Sequence, residues 1–204
     1  MTDIYHDGNR ALQAQFGTER LADRIKEIVK DHIDANDKAF IEHMDMFFIA
    51  TVDEQGHANC SYKGGEPGFV RVLNANTIAF PNYDGNGMYL SMGNVLKTKQ
   101  VGLLFIDFEN QWRMRLNGEA TIDANDPLMA EYPEAQFVVR VTAREVFPNC
   151  PRYIHKMQLV QRSRFVPKSE CKTPVPSWKT GGWVDDVLPD GDPARDPNAE
   201  VLDA

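Results

Sequence analysis

The stretch Pro81-Asn82-Tyr83-Asp84-Gly85-Asn86-Gly87-Met88-Tyr89-Leu90-Ser91-Met92-Gly93-Asn94 joins a β-rich run to a helical one. Gly85 and Gly87 free the backbone where the helix begins. The first turn of a helix presents N–H groups with no partner of their own. With the helix dipole behind them, those groups suit a phosphate. Asn82, Asn86, Ser91 and Asn94 add neutral hydrogen-bonding side chains. The alternative is a loop with ordinary caps. Lys63, beside Gly64 and Gly65, can reach into a site where the backbone comes close to a ligand, or it is simply solvated.

Three arginines pose a similar choice. Arg113 and Arg115 alternate with Trp112, Met114 and Leu116, so in a strand they share one face. Arg71 lies within Phe69-Val70-Arg71-Val72-Leu73. Each either collects an anion or forms a solvated salt bridge. Cys150-Pro151-Arg152-Tyr153-Ile154-His155 holds a thiol and an imidazole, but two potential ligands fall short of zinc spacing, and no metal site is expected. Tyr153 and His155 are candidates to line a pocket or to play a structural role. No P-loop, no GxGxxG after a strand and no HExxH is present, and the carboxylates give no acid–base pair. No catalytic residue is identified.

The elements that must position these groups follow from periodicity. From Thr18, Leu21, Ile25, Ile28, Val29 and Ile33 recur at helical spacing and predict an amphipathic helix lying on the core. A short second helix is expected near Asp37, with Phe40, Ile41 and Met44 on one side. Strands are expected over residues 47–52, 57–62, 69–73, 77–80, 101–108, 112–122 and 136–146, with a helix over 88–97. The 47–52 run is apolar on both faces, and Pro81 is expected to close its strand. Short antiparallel connections dominate, so a barrel that leaves few exposed edges is the natural closure.

Composition bounds the rest. The 204 residues carry a formal net charge of -8, which disfavours a nucleic-acid partner, since phosphate backbones need a basic face. A small basic pocket for a small anionic ligand stays compatible with that balance. Three cysteines without paired spacing fit a reducing, cytoplasmic setting. No secretory signal and no membrane partner are expected. Residues 1–184 are expected as a single domain and 185–204 as an acidic, flexible tail or partner-draping arm.

Together, the runs from Phe47 to Phe108, from Trp112 to Ile122 and from Phe147 to Met157 resemble the pyridoxamine 5'-phosphate oxidase-like proteins, in particular an oxidase-related bacterial branch. The resemblance spans roughly residues 10–167. It implies a mainly β fold with flanking helices, an antiparallel six-stranded Greek-key split β-barrel. It also implies a homodimer holding FMN in clefts at the interface. By the resemblance, FMN would be held by Lys63, Phe69, Val70, Arg71, Val72, Phe80, Pro81, Asn82, Asn86, Gly87, Met88, Ser91 and Asn94, with Arg113 and Arg115 near the flavin. Tyr153 and His155 would contact substrate or close the cleft, from the same chain or its partner.

The chain departs from the family pattern where the loop enters the helix. Classical members carry a Ser-Arg-Lys group there. Here Asn86-Gly87-Met88-Tyr89-Leu90-Ser91 holds no cation, so the phosphate would rely on backbone N–H groups, amides and an arginine such as Arg71. The classical C-terminal Arg-Leu-His-Asp motif is also missing, which argues against oxidation of vitamin B6 phosphates. The implied activity is a flavin-dependent oxidoreductase of unknown small-molecule substrate. A non-catalytic flavin or haem module, with His155 as first ligand to test, and an F420-dependent reductase are the alternatives.

Overall fold

The computed structural model describes residues 3–203, leaving Met1, Thr2 and Ala204 outside the description. Two helices open the chain. α1 (Asp7–Gln15) is capped by His6, whose ring nitrogen accepts from Gly8 N at 3.1 Å. α2 (Glu19–Lys26) follows, and α3 (Ala35–His43) starts at Asp34, whose carboxylate accepts from Asn36 N and Asp37 N at 2.8 and 3.0 Å. That reciprocal cap places Ile41 and Met44 in the core.

The expected long helix from Thr18 is shorter than its periodicity suggests. Past Lys26 the chain turns, and Lys30 exchanges backbone hydrogen bonds with Val146 at 2.9 and 2.8 Å. Val29 and Ile33 are buried from this turn, whereas Leu21, Ile25 and Ile28 stay exposed. The apolar stripe is real, but α2 buries none of it against its own chain.

Among the described residues the main sheet has seven antiparallel strands, one more than the six-stranded barrel that the resemblance implied. They are β1 (Met46–Val52), β2 (Ala58–Gly64), β3 (Arg71–Asn74), β4 (Thr77–Asn82), β5 (Gln100–Asp107), β6 (Trp112–Asp123) and β7 (Phe137–Pro148), in the order β2-β1-β5-β6-β7-β4-β3. α4 (Leu90–Thr98) carries the chain from β4 across to β5. Residues 69 and 70, expected in a strand, precede β3 as buried core. Pro81 does not end β4 but pairs with Val138. Beyond Ala79, β3 no longer flanks β4, so the missing N–H falls on an unpaired edge.

The sheet curls. In a flat sheet β1 and β4, four places apart, would lie about 19 Å from each other. Instead the Phe47 and Phe80 rings meet with centroids 4.9 Å apart, and Phe47 also packs on Phe105 at 5.3 Å and on Phe69 at 5.8 Å. One continuous core therefore fills a split barrel whose β2 and β3 edges stay unpaired with each other. Gly118 sits at a register shift between β6 and β7, where an added Cβ would lie 2.1 Å from Thr142 O. Only glycine permits that approach.

Register also fixes the outer face. Tyr62, Phe48, Leu104, Arg115 and Phe147 stand side by side across β2, β1, β5, β6 and β7. Their neighbours Phe47, Ile49, Leu103 and Leu116 point into the core. The double-sided apolar character of β1 thus has two destinations, the core and an outer row in which Phe48 and its neighbour Leu104 are half-buried.

The C-terminal segment forms turns rather than barrel strands. β8 (Val175–Pro176) pairs in parallel with β9 (Val201–Leu202), and a 3-10 turn at Ser177–Thr180 lies between them. Among the described residues no helix is long and apolar enough to cross a membrane.

Candidate anion site and adjoining cavity

Two neighbouring cavities gather much of the expected site. The smaller, about 160 Å³, is lined by Ser61 and Lys63 of β2, Asn82 at the end of β4, and residues 83 and 85–92 of the loop entering α4. Residue Tyr89, at the α4 N-cap, is held in the left-handed region and supplies no side-chain cap. The uncapped start of the helix, residues 89–92, thus lines this pocket.

Lys63 brings the charge. Its Nζ donates to Asn82 Oδ1 at 3.5 Å, and it pairs with no carboxylate among the described residues. Burial pushes its ammonium below the ordinary lysine value. An ammonium withdrawn from water without a counter-charge favours whatever anion can reach it. A dianionic phosphate fits this donor set: one cation, helix N–H groups and amides.

β2 alternation aims Asn59, Ser61 and Lys63 to one side. Asn59 Nδ2 donates to the buried Ser91 Oγ at 2.9 Å, and Ser61 Oγ shares a hydrogen bond with Ser91 Oγ at 2.7 Å. Ser91 thus fastens α4 to β2. Asn94 Nδ2 donates to Thr51 Oγ1 at 3.1 Å and ties α4 to β1, away from the pocket. Asn86 Oδ1 accepts from Met88 N at 3.1 Å within the loop.

The second cavity, about 780 Å³, shares Lys63, Tyr83 and Gly85 with the first. Pockets for drug-sized ligands occupy roughly 300–1,000 Å³. The larger space can hold a ring system, whereas the smaller suits its phosphate end. Its wall includes Tyr62, Phe69, Pro81, Ile106 and Phe108, and residues 157–159, 161–163, 165 and 166 border it. Burial, with Glu134 and Glu66 nearby, pushes the Tyr83 phenol up to about 12, so it stays a neutral donor. Asp45 pairs with Arg162 at 3.3 Å. Asp107 caps the β5–β6 turn, accepting from Glu109 N, Asn110 N and Asn110 Nδ2 at 3.0, 2.9 and 2.8 Å.

The other sequence candidates lie elsewhere in the single chain. Val70, Val72 and Phe80 are buried core side chains. Arg71 is ion-paired with Glu131 and stands over the Tyr132 ring at 5.4 Å, so Lys63 rather than Arg71 is the cation at the small pocket without a carboxylate partner among the described residues. Arg115 is in the outer row. Arg113 stands opposite Ile106, and its buried Nε lacks a hydrogen-bond partner. Tyr153 is 85% exposed and His155 is also exposed, while the buried Ile154 between them accepts from Gln111 Nε2 at 2.7 Å. Among the residues lining the small pocket, Ser61, Tyr83, Tyr89, Leu90 and Met92 were not among the expected site residues. Of these, Ser61 was accessible from its alternation with Lys63.

No curated protein matches the chain. Among solved structures, HupZ of Group A Streptococcus is 18% identical, with a TM-score of 0.46 over 57% of this chain and 93% of that one. An FMN-binding protein from Syntrophomonas wolfei is 13% identical, with a TM-score of 0.44 over 68% of this chain and 97% of that one. HutZ, a haem storage protein from Vibrio cholerae, is 18% identical, with a TM-score of 0.42 over 57% of this chain and 94% of that one. The model of the family described as pyridoxamine 5'-phosphate oxidase matches residues 33–162, which run from the turn before α3 through all seven barrel strands to the border of the larger cavity. By that match over more than half its length, the chain belongs to the pyridoxamine 5'-phosphate oxidase family.

Proposed function

We propose that the protein is an FMN-dependent oxidoreductase acting on a small molecule as a homodimer. The observation that carries this reading is Lys63, a cation without a carboxylate partner, beside the open N-terminus of α4 and next to a cavity large enough for a ring system. When bound, the flavin supplies the redox chemistry, and the protein supplies position and electrostatics.

Lys63 and the first N–H groups of α4 hold the phosphate, and Asn82, whose Oδ1 accepts from Lys63, orients the ammonium. Asn86, Gly87 and Met88 shape the loop around it, and Ser91 keeps the helix start against β2. Phe69 and Pro81 offer apolar contact in the larger cavity. Residues 70–72 and Phe80 contribute through backbone and core packing. Arg113 and Arg115 face the flavin across the dimer, where their guanidinium groups favour negative charge on the ring.

The dimer reading rests on the outer row, in which Phe48, Leu104 and Phe147 are half-buried and Tyr62 and Arg115 are exposed. A half-buried apolar row on the outer face of a sheet suits a self-complementary two-fold contact. In such a pair Tyr153 and His155 close the partner's cleft and touch substrate. Their outward projection supports that assignment.

Difference spectra of the purified protein titrated with FMN, F420 and haem test the cofactor. We expect saturable, shifted flavin bands that bleach with a reductant. Saturable haem binding without a flavin response, or a response to F420 alone, overturns the reading.

A further inference from the structure

The polar groups that shape the anion loop continue beyond the cavity into the C-terminal segment. Gln136, just before β7, accepts through Oε1 from Tyr89 Oη and from Asn82 Nδ2, both at 3.0 Å. Its Nε2 donates to Asp84 Oδ1 at 3.4 Å. One amide therefore touches the end of β4, the start of the loop and the residue that opens α4.

The other oxygen of Asp84 takes the ammonium of Lys179, 95 residues further along the chain. The Lys179 side chain is only 5% exposed, and its second carboxylate partner is Asp192 at 2.7 Å, itself 6% exposed. Asp192 also accepts from Ala194 N at 2.9 Å and so begins the 3-10 turn Pro193–Arg195. Around this point the segment is fastened to itself. Val175 N donates to Glu200 O at 2.7 Å, and Arg195 Nε donates to Pro189 O at 2.9 Å.

This arrangement differs from a surface salt bridge. A buried ammonium is tolerated only while its counter-charges stay in place, and removal of one partner leaves a desolvated charge. Docking of the C-terminal segment and the position of Asp84 are therefore coupled. When the segment is seated, Asp84 orients Gln136, and Gln136 holds Tyr89 and Asn82, the residue beside Lys63.

We propose that Lys179 is a positioning residue for the anion site: through Asp84 and Gln136 the C-terminal segment straps the loop of residues 83–89 into its binding-competent form. The function of the strap rests on the reading that this loop receives the FMN phosphate, but the strap itself can be tested without FMN.

The test compares Lys179→Met and Asp192→Asn with Lys172→Met, which removes an exposed pair to Asp196 in the same segment. Hydrogen exchange of the unliganded proteins is read on peptides covering residues 83–92 and, as a reference, on β5 and β6. We expect Lys179→Met to speed loop exchange about tenfold and raise the FMN dissociation constant about tenfold, with the reference strands unchanged. Lys172→Met should change neither. Should Lys179→Met also loosen β5 and β6, the isosteric Asp192→Asn decides by the same readings. Loop exchange within twofold of the parent in a folded variant overturns the strap. If the parent protein binds no FMN, loop exchange still decides the strap, and only the cofactor reading falls. Faster loop exchange with unaltered FMN affinity overturns the positioning role.

Discussion

The Lys63 ammonium stands 3.5 Å from Asn82 Oδ1, with no carboxylate partner among the described residues. A cation in that state is a burden to the empty protein and an asset to a complex. Burial lowers its proton affinity because the charged form has lost water without gaining an opposite charge. Lys63→Met should therefore stabilise the unliganded protein, by roughly 1 kcal/mol or about 2–4 °C in Tm. The same change should abolish most of the Tm rise produced by FMN. Thermal melts with and without FMN check both signs, and a lower Tm for the unliganded variant would contradict the first.

The outer row makes a separate claim. Phe48 and Leu104 are cross-strand neighbours on the side of the sheet facing away from the core. Leu104→Asp places a carboxylate in the proposed two-fold contact, where it would be buried without a partner. We expect the dimer to weaken by at least about 100-fold, or more than ~2.7 kcal/mol, with the barrel still folded. Sedimentation or light scattering over a concentration series measures this. A parent protein that is monomeric throughout, or a variant that dimerises equally well, contradicts the assignment.

Cys150 is the most activated thiol on chemical grounds. The backbone N–H of Arg152 and its side chain, with Nε 3.1 Å from Sγ, hold the thiol below its ordinary pKa, and Arg113 adds to the effect. Cys150 and Cys171 are both exposed, so access alone does not separate them. At neutral pH iodoacetamide should label Cys150 about three- to tenfold faster than Cys171, because the thiolate is the nucleophile. Arg152→Met should narrow the gap, as peptide mapping of a time course would show. Equal rates in the parent protein would show that the arginine contact is not kept in solution.

How much of this was legible in the sequence depends on the range of each interaction. The barrel strands followed from alternation, and the loop–helix joint from Gly85, Gly87 and the polar residues around them. Both are local signals. Arg71 was read as a cation that either collects an anion or forms a salt bridge, and its partner Glu131 is 60 residues away, so nothing near Arg71 announces the pairing. The N-terminal stripe of Leu21, Ile25 and Ile28 shows the same limit, because periodicity defines an apolar face and not the surface that it meets. Gln136 and Lys179 bear on the site only through contacts that the fold creates. Lys63 was visible as a candidate because its double-glycine neighbourhood is local, whereas its lack of a counter-charge is a three-dimensional fact.

The C-terminal ion cluster should respond to pH in a fixed direction. Burial opposes the charge on Asp192, but hydrogen bonds from Lys179 and Ala194 N outweigh it and lower its pKa. A depressed carboxylate contributes stability above its unfolded value, near 3.9, and loses it as the pH falls through the lower folded value. Lys179 is shifted the opposite way: burial lowers its pKa, but Asp192 and Asp84 outweigh that and raise it. Its contribution is present below about 10.4 and is lost as the pH rises through the folded value. The segment should thus stay seated from about pH 5 to 10 and loosen below about pH 4. The paired Trp178 and Trp183 rings, 6.4 Å apart, give a fluorescence signal for this in a Trp112→Phe background. An acid transition unaltered by Asp192→Asn would contradict the assignment.

The most direct test of the phosphate seat at Lys63 and α4 is a calorimetric titration of the protein with FMN and with riboflavin, which lacks the phosphate. Charge-assisted hydrogen bonds contribute about 1.5–3 kcal/mol each. We therefore expect FMN to bind at least about 30-fold more tightly than riboflavin, and Lys63→Met to remove most of that difference while leaving riboflavin affinity unchanged. Equal affinities for the two ligands, or a full FMN preference retained in Lys63→Met, would contradict the seat.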